Sequence, residues 1–325
     1  MAMRDVPGQP RARALLQNAL RSDRVAHAYL FAGPSGSGRR AMASAFAQTL
    51  LCEKRGEDAC GECLACRKVL HGNHPDLHLI APDGASVKIE QVRELQRELS
   101  YRSAGAGRKV YVIEGAETMT VQAANSLLKF LEEPPSPVVA ILIAPSAQTM
   151  LPTILSRTQL VPFVPSDPQE LEQALTAEGA DPLAARAAVH LASGLEAARA
   201  LAQENWFAET RNVVIQLGKE MPSRFPGVLL TAQKQVFKTD LAEHIDILLQ
   251  MLALWYRDMI YVMTGRENRL VFPDQAEWIA KNAWSRSLDG WVRAMELALT
   301  AVRRVKAHVQ PQLALEQFLV NSREG

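Results

Sequence analysis

Four cysteines, Cys52, Cys60, Cys63 and Cys66, crowd into one short stretch, and the rest of the 325-residue chain has none. The spacing C-x7-C-x2-C-x2-C offers four thiolates, a donor set suited to a closed tetrahedral Zn²⁺ site. His71, His74 and His78 stand nearby as competing ligands. Four sulfurs already fill the shell, so the zinc expected here is structural, with no open position for catalysis. Metal chemistry of this kind touches nucleic acid or protein, and the residues alone do not choose between them.

A second chemical signal is Gly33-Pro34-Ser35-Gly36-Ser37-Gly38-Arg39-Arg40. It has the G-x-x-x-x-G spacing of a phosphate loop, in which backbone N–H groups cradle phosphate, a following Lys reaches the terminal phosphates and a Ser or Thr hydroxyl ligates magnesium. Here Arg39 takes the Lys position and presents a planar fork in place of a compact ammonium. Arg40 takes the hydroxyl position, where it would repel a cation. An ordinary glycine turn is the alternative. The apolar run before it and the helix pattern after it favour a vestigial phosphate loop built from Gly33, Gly36, Gly38 and Arg39.

A third signal is an absence. After the apolar run Lys109–Ile113 an ATPase of this type carries Asp-Glu, the Asp near magnesium and the Glu polarising water. This chain reads Glu114-Gly115-Ala116-Glu117. Glu114 is a lengthened metal-side carboxylate, and Gly115 has no side chain to orient water. Glu117 reads as a solvated residue at a helix start. Two motifs are thus altered separately, and ATP with Mg²⁺ is not expected to bind productively.

These positions need a scaffold. Helix patterns cover residues 11–20, 39–51, 89–101 and 121–131. Apolar runs at residues 27–32, 76–80, 109–113 and 138–144 read as strands. Alternation of this kind implies a mostly parallel sheet with helices on both faces. Glu132 to Pro137 reads as a helix stop. After Val161 the character changes: Pro162, Pro165 and Pro168 punctuate a boundary, and no convincing strand follows. Residues 169–203 read as a small helical domain broken at Gly179 and Gly194. Beyond them Leu241, Ile245, Leu248, Leu252, Trp255, Met259 and Val262 recur at helical spacing, forming a stripe expected to pack in the core of a bundle. The expected division is residues 1–165, 166–207 and 208–325, an α/β domain followed by two all-α domains.

Composition narrows the function classes. With 36 Lys plus Arg against 35 Asp plus Glu the net charge is +1, so the chain is no histone-like polycation. A hydrophobic fraction of 48% excludes wholesale disorder. The greasiest stretch, residues 247–256, is far shorter than the roughly 20 residues of a spanning helix. The first ten residues lack the apolar core of an export signal. A cytoplasmic protein without a membrane partner is expected, in a compartment where disulfides are rare.

The run Asn125-Ser126-Leu127-Leu128-Lys129-Phe130-Leu131-Glu132-Glu133-Pro134-Pro135 resembles a highly characteristic segment of bacterial clamp-loader AAA+ subunits. The cysteine cluster falls where that family has its own. Gly8-Gln9, His27-Ala28-Tyr29-Leu30-Phe31 and Gln312-Leu313-Ala314-Leu315-Glu316 also match, so the likeness spans the chain. The resemblance implies an AAA+ P-loop domain with a zinc module (52–66), a helical lid and a C-terminal helical collar that holds a five-subunit arc.

Within the family, the altered phosphate loop singles out a subunit that does not hydrolyse ATP. Ile154-Leu155-Ser156-Arg157-Thr158 is similar to the family's Ser-Arg-Cys motif, with Thr158 replacing the Cys. From residue chemistry alone Arg157 reads equally as a local ion pair or helix cap. The resemblance implies instead that Arg157, with Ser156, completes a neighbouring subunit's ATP site in trans as an arginine finger. The family's lid carries a glycine followed three residues later by a nucleotide-sensing arginine, and here Gly194 is followed by Ala197. The implied partners are gamma or tau and delta subunits, the sliding clamp and primer-template DNA, with association to the nucleoid. The implied role is a stator, an accessory subunit of a DNA-directed DNA polymerase. Two rivals remain: an autonomous AAA+ ATPase using Arg39, and a zinc-ribbon DNA-binding protein on a relic nucleotide fold.

Overall fold

The computed structural model describes residues 2–100, 108–132, 137–222 and 225–322. Tyr101 at the expected end of one helix, and residues 133–136 of the Glu132–Pro137 helix stop and the Asn125–Pro135 segment, lie outside the described residues. The chain divides into two compact units, Met1–Leu171 and Glu172–Gly325.

The first unit holds strands β1 (Ala28–Ala32), β2 (Leu77–Ile80), β3 (Lys109–Ile113), β4 (Val138–Ala144) and β5 (Gln159–Pro162) in one sheet of order β2-β3-β4-β1-β5. Every pairing is parallel, with Leu30 beside Leu142 on one side and Leu160 on the other. Each residue of β1, β3 and β4 is buried. Central parallel strands covered on both faces are apolar almost throughout, which is why these three read so clearly in the sequence; the exception, Lys109 at the start of β3, donates Nζ–H to the Glu98 carbonyl at 2.9 Å. β5 was not among the expected strands. Only Val161 of its four residues is buried. It is an edge strand ending on Pro162, so it needs no apolar run and tolerates a residue without an N–H.

Helices α1 (Pro10–Arg21), α2 (Arg39–Leu51), α3 (Leu64–Leu70), α4 (Ile89–Ser100), α5 (Val121–Glu132) and α6 (Pro152–Leu155) complete this unit. Tyr29 and Phe31 of β1 point to one face and pack with Phe46 of α2, Tyr29 meeting Phe46 edge-on at 5.3 Å. Leu30 points to the other, where Tyr111 packs on Phe130 of α5 at 5.7 Å. Side chains alternating across each strand thus bind both helical layers to the sheet.

Among the described residues the second unit contains helices and no strand. α7 (Pro168–Ala177) crosses the division; α8 (Pro182–Leu191), α9 (Leu195–Gln203), α10 (Asn205–Glu220), α11 (Phe225–Thr231), α12 (Ile245–Met263), α13 (Ala276–Asn282), α14 (Leu288–Lys306) and α15 (Pro311–Asn321) follow. Pro182 at the first position of α8 and the Asp181 carboxylate, which accepts N–H bonds from Leu183 and Ala184 at 3.0 and 2.8 Å, start that helix. All seven residues of the apolar stripe ending at Val262 are buried, so the stripe is core, as expected.

Two titratable groups of this unit have opposed shifts. Burial lowers His190 of α8 to about 4, helped by the charges of Arg257 and Arg186. Burial raises Asp258 of α12 to about 7, against the N–H groups of Phe272 and Val271 and the charges of Arg257 and Arg186. Below pH 6.5 the unfolded chain protonates its histidine while the folded one does not, so His190 makes stability rise with pH between about 4 and 6.5. The folded Asp258 keeps a proton that the unfolded one loses, so it makes stability fall between about 4 and 7. The two contributions offset each other. Asp258→Asn is therefore expected to make stability rise more steeply with pH than in the parent, and His190→Gln to make it fall. Urea midpoints at several values from pH 5.0 to 6.5 check both signs; parallel profiles for all three proteins would contradict the assignment.

Candidate functional site

The glycine-rich turn joins β1 to α2, as a phosphate loop requires. Gly36 and Gly38 adopt φ of +75° and +78°, backbone that favours glycine, and Gly38 is the N-cap of α2. The Gly33 N–H donates to the Ala144 carbonyl at the end of β4, at 3.3 Å. The Arg39 guanidinium crosses the turn and donates Nη1–H to the same carbonyl. Burial lowers the Arg39 pKa, and the Glu117 carboxylate counters that shift. Arg39 is thus held on protein oxygen at the end of β4.

Arg40 has a more consequential partner. Its Nε and Nη2 each donate to one oxygen of the Glu114 carboxylate, a two-point ion pair. Arg40 occupies the position where a working loop carries the magnesium-binding hydroxyl, and Glu114 the position of the magnesium-side carboxylate. The two altered motifs, expected to be separate losses, are therefore two halves of one contact. Their side chains are 71% and 22% exposed, and pairs of such exposure contribute about 0–1 kcal/mol. The consequence is chemical: one carboxylate is already neutralised by a fixed monovalent cation.

Gly115 follows Glu114 with φ +59°, and a Cβ there would lie 2.9 Å from Cγ of Pro82. The turn is built for glycine, which explains its presence where a water-orienting carboxylate is missing. Glu117 lies in the single turn Ala116–Thr118. It is half-buried, with Oε2 out of contact with solvent, so the expectation of a solvated helix-start residue is corrected. Its negative charge acts on the Arg39 guanidinium across the turn.

Arg157 sits in the turn between α6 and β5, where its N–H donates to the Ile154 carbonyl at 3.0 Å. Its Nε donates to Glu132 Oε1 at 2.7 Å, and Nη2 donates to the same oxygen. Nη1 donates to the Thr153 carbonyl at 2.9 Å and to Ser156 Oγ at 3.2 Å. The Ser156 hydroxyl in turn donates to Thr153 O at 3.0 Å. The local ion pair open in the sequence is thus formed, with the side chain still 34% exposed. Ala197 is exposed on α9. Arg199, two residues on, is bound through Nε and Nη2 to Glu178 at 2.6 and 2.7 Å.

The cysteines converge as their spacing implied. The Sγ atoms of Cys52, Cys60, Cys63 and Cys66 all lie within 4.8 Å of one another, and none is in a disulfide. Sulfurs about 2.3 Å from a common centre stand about 3.8 Å apart in a tetrahedron. Cys60 and Cys66 Sγ are 3.9 Å apart, so the set fits such an ion. The Cys63 and Glu62 N–H groups stabilise the Cys60 thiolate and bring its pKa down to about 6, whereas burial pushes the Cys66 thiol up. Two of the three nearby histidines are used elsewhere: His74 Nδ1 accepts the Asp76 N–H at 3.1 Å, and His78 Nδ1 lies 2.7 Å from Glu98; His71 is exposed.

Three contacts escaped the sequence. Glu132 and Arg157 are 25 positions apart, and Arg40 and Glu114 are 74 apart. For the second pair the paired replacement by opposite charges was a usable signal; for the first the sequence allowed an ion pair at Arg157 but did not point to its partner. Asp58, inside the cysteine loop, accepts the Met3 and Arg4 N–H groups at 2.9 and 3.2 Å. It thereby ties the loop to the N-terminal turn, whose Val6 is buried in the sheet's core. Gln9 has a legible role: its buried amide donates to Val164 O at 2.7 Å and accepts from Val164 N–H at 3.2 Å, clamping the chain beyond β5.

Residues 8–167 match the family described as DNA polymerase III, delta subunit. The chain is 36% identical to DNA polymerase III subunit delta' of Bacillus subtilis, over 98% of this chain and 97% of that one. It is also 36% identical to DNA polymerase III subunit tau of the same organism, over 49% of this chain and 28% of that one. A gamma subunit-related protein of DNA polymerase III from Thermotoga maritima shares the fold, with TM-score 0.51, 19% identity and coverage of 96% and 99%.

Proposed function

Because the chain belongs to the delta-prime subunits of bacterial DNA polymerase III, we propose that it serves the clamp loader as a non-catalytic stator. It lends an arginine to a neighbour and hydrolyses no ATP itself. The observation that carries this reading is the Arg40–Glu114 ion pair. A guanidinium stands in the hydroxyl's position and engages the carboxylate a magnesium ion needs. Beside it, Arg39 is turned onto the Ala144 carbonyl and Gly115 lacks the carboxylate that would polarise water. Vestigial contact with a phosphate through Gly33, Gly36 and Gly38 does not restore that chemistry.

Arg157 is the group offered in trans, to the γ-phosphate of ATP on an adjacent gamma or tau subunit. It is part-exposed and held at three nitrogens, and a fixed guanidinium at developing phosphoryl charge stabilises the transition state without reorganisation. Ser156 contributes by accepting from Nη1. Residues 166–207 serve as the lid and 208–325 as the collar that joins gamma or tau and delta subunits. The assembly would open the sliding clamp and close it on primer-template DNA, whose phosphates would be met without reading of bases. Among the described residues no helix is long and apolar enough to cross a membrane.

Zn²⁺ is the ion we assign to Cys52, Cys60, Cys63 and Cys66, on the thiolate donor set and its spacing. Its role is structural: the ion would stiffen a loop that Asp58 and the Arg21–Glu57 pair fasten to the N-terminal turn and α1.

In a reconstituted loader, Arg157→Ala is expected to leave assembly intact while turnover at the site it serves falls by about 10²-fold or more. DNA- and clamp-stimulated ATP hydrolysis would drop by that site's share; unchanged turnover removes the finger role. Elemental analysis of protein purified without chelator is expected to give one zinc per chain. Stripping the metal, or Cys63→Ser, is expected to lower the melting temperature and speed hydrogen exchange in the N-terminal turn. A zinc-free protein with unaltered melting and exchange would refute the metal assignment.

A further inference from the structure

Glu132 closes α5, whose inner face places Ala123, Ala124, Leu127, Phe130 and Leu131 in the core beside the sheet. Its backbone is therefore fixed by the fold, although its side chain is half exposed. Arg157 comes from a different part of the unit, the turn that leads into edge strand β5. The carboxylate joins the two, taking both Nε and Nη2 of the guanidinium on Oε1. We propose that Glu132 is a positioning residue for Arg157: it holds the guanidinium side-on, so that the free end of the fork is presented to a neighbour's phosphate. The inference deepens the finger reading of Arg157 and rests on it.

The distribution of the five N–H groups supports positioning. Glu132 takes one from Nε and one from Nη2, along one side of the fork. Nη1 has both of its bonds to neutral oxygens, the Thr153 carbonyl and the longer 3.2 Å contact to Ser156 Oγ. One N–H of Nη2 has no partner among the described contacts. A phosphate oxygen arriving at the Nη1/Nη2 end would use that group and displace at most a neutral hydrogen bond. The ion pair with Glu132 would stay intact. A brake would take the opposite form, with the carboxylate across the end that phosphate requires.

Energetics point the same way. A free arginine side chain carries rotamer entropy that it must lose on reaching a reacting group. Anchoring three nitrogens beforehand removes much of that loss, and catalytic groups need placing to within about 0.5 Å.

The test is ATP turnover by the reconstituted loader with sliding clamp and primed DNA, comparing the parent with Arg157→Ala, Glu132→Ala and Glu132→Gln. Thermal melting and gel filtration check folding and assembly. Glu132→Ala is expected to lower kcat at the served site about tenfold or more, the cost of a misplaced catalytic group. KM for ATP is expected to stay within about twofold. Glu132→Gln keeps an oxygen at the same reach and is expected to recover part of the loss. Loss of kcat with Arg157→Ala but none with Glu132→Ala overturns the positioning role and leaves the finger standing. A rise in turnover with Glu132→Ala also overturns it, by revealing a brake. If Arg157→Ala itself has no effect, the finger reading fails and the positioning role fails with it.

Discussion

A guanidinium and a carboxylate meet where a working phosphate loop keeps its cation. The contact is made by Arg40, in the first turn of α2, and Glu114, just past β3, so it draws together the ends of a strand and a helix that packs on it. Its exposed half makes it a weak contributor to stability. Its importance is that one interaction meets both changed motifs at once. Arginine in place of a hydroxyl would by itself leave a repulsive hole, and a glutamate in place of aspartate would by itself leave a carboxylate seeking charge. Together they satisfy each other, and the scaffold no longer requires the ion around which it was shaped.

The rest of the first unit is consistent with a scaffold kept after its chemistry has gone. The sheet, its two apolar faces and the glycine turn are all present, and Gly115 is required by backbone conformation and by the ring of Pro82. On the far side of β1, Arg157 is held by Glu132, Thr153 and Ser156. Arg40 is engaged at the position of the magnesium-binding hydroxyl and Arg39 at the end of β4, whereas Arg157 lies in the turn before β5 and keeps, among the described residues, one Nη2 N–H without a partner. That difference in placement is the basis for proposing that the subunit donates an arginine but does not use nucleotide itself.

Much of this was legible in the sequence because it depends on local pattern. β3 and β4 run as expected since central parallel strands are apolar at nearly every position, and α2 runs as expected between a glycine N-cap and the cysteine loop. The four cysteines announce their convergence by spacing. The apolar stripe, six of whose seven residues lie on α12, announces its burial by period. β5 gave no such signal, because an edge strand with one buried residue is held by its neighbour's backbone and not by its own side chains. The partners of Arg157 and Arg40 were hidden for a related reason: a salt bridge between distant segments follows from the way the sheet orders its strands. Glu117 was misjudged because its burial follows from the way the loop and the turn come together and not from the local sequence.

The most direct test is equilibrium binding of ATP to the purified chain, with and without magnesium, followed by the Arg40→Thr variant under the same conditions. Magnesium is expected to make no difference to nucleotide binding by the parent, because Glu114 is already engaged and no hydroxyl is available. Tight binding of ATP that requires magnesium, with release of phosphate by the chain alone, would contradict a site closed by its own ion pair.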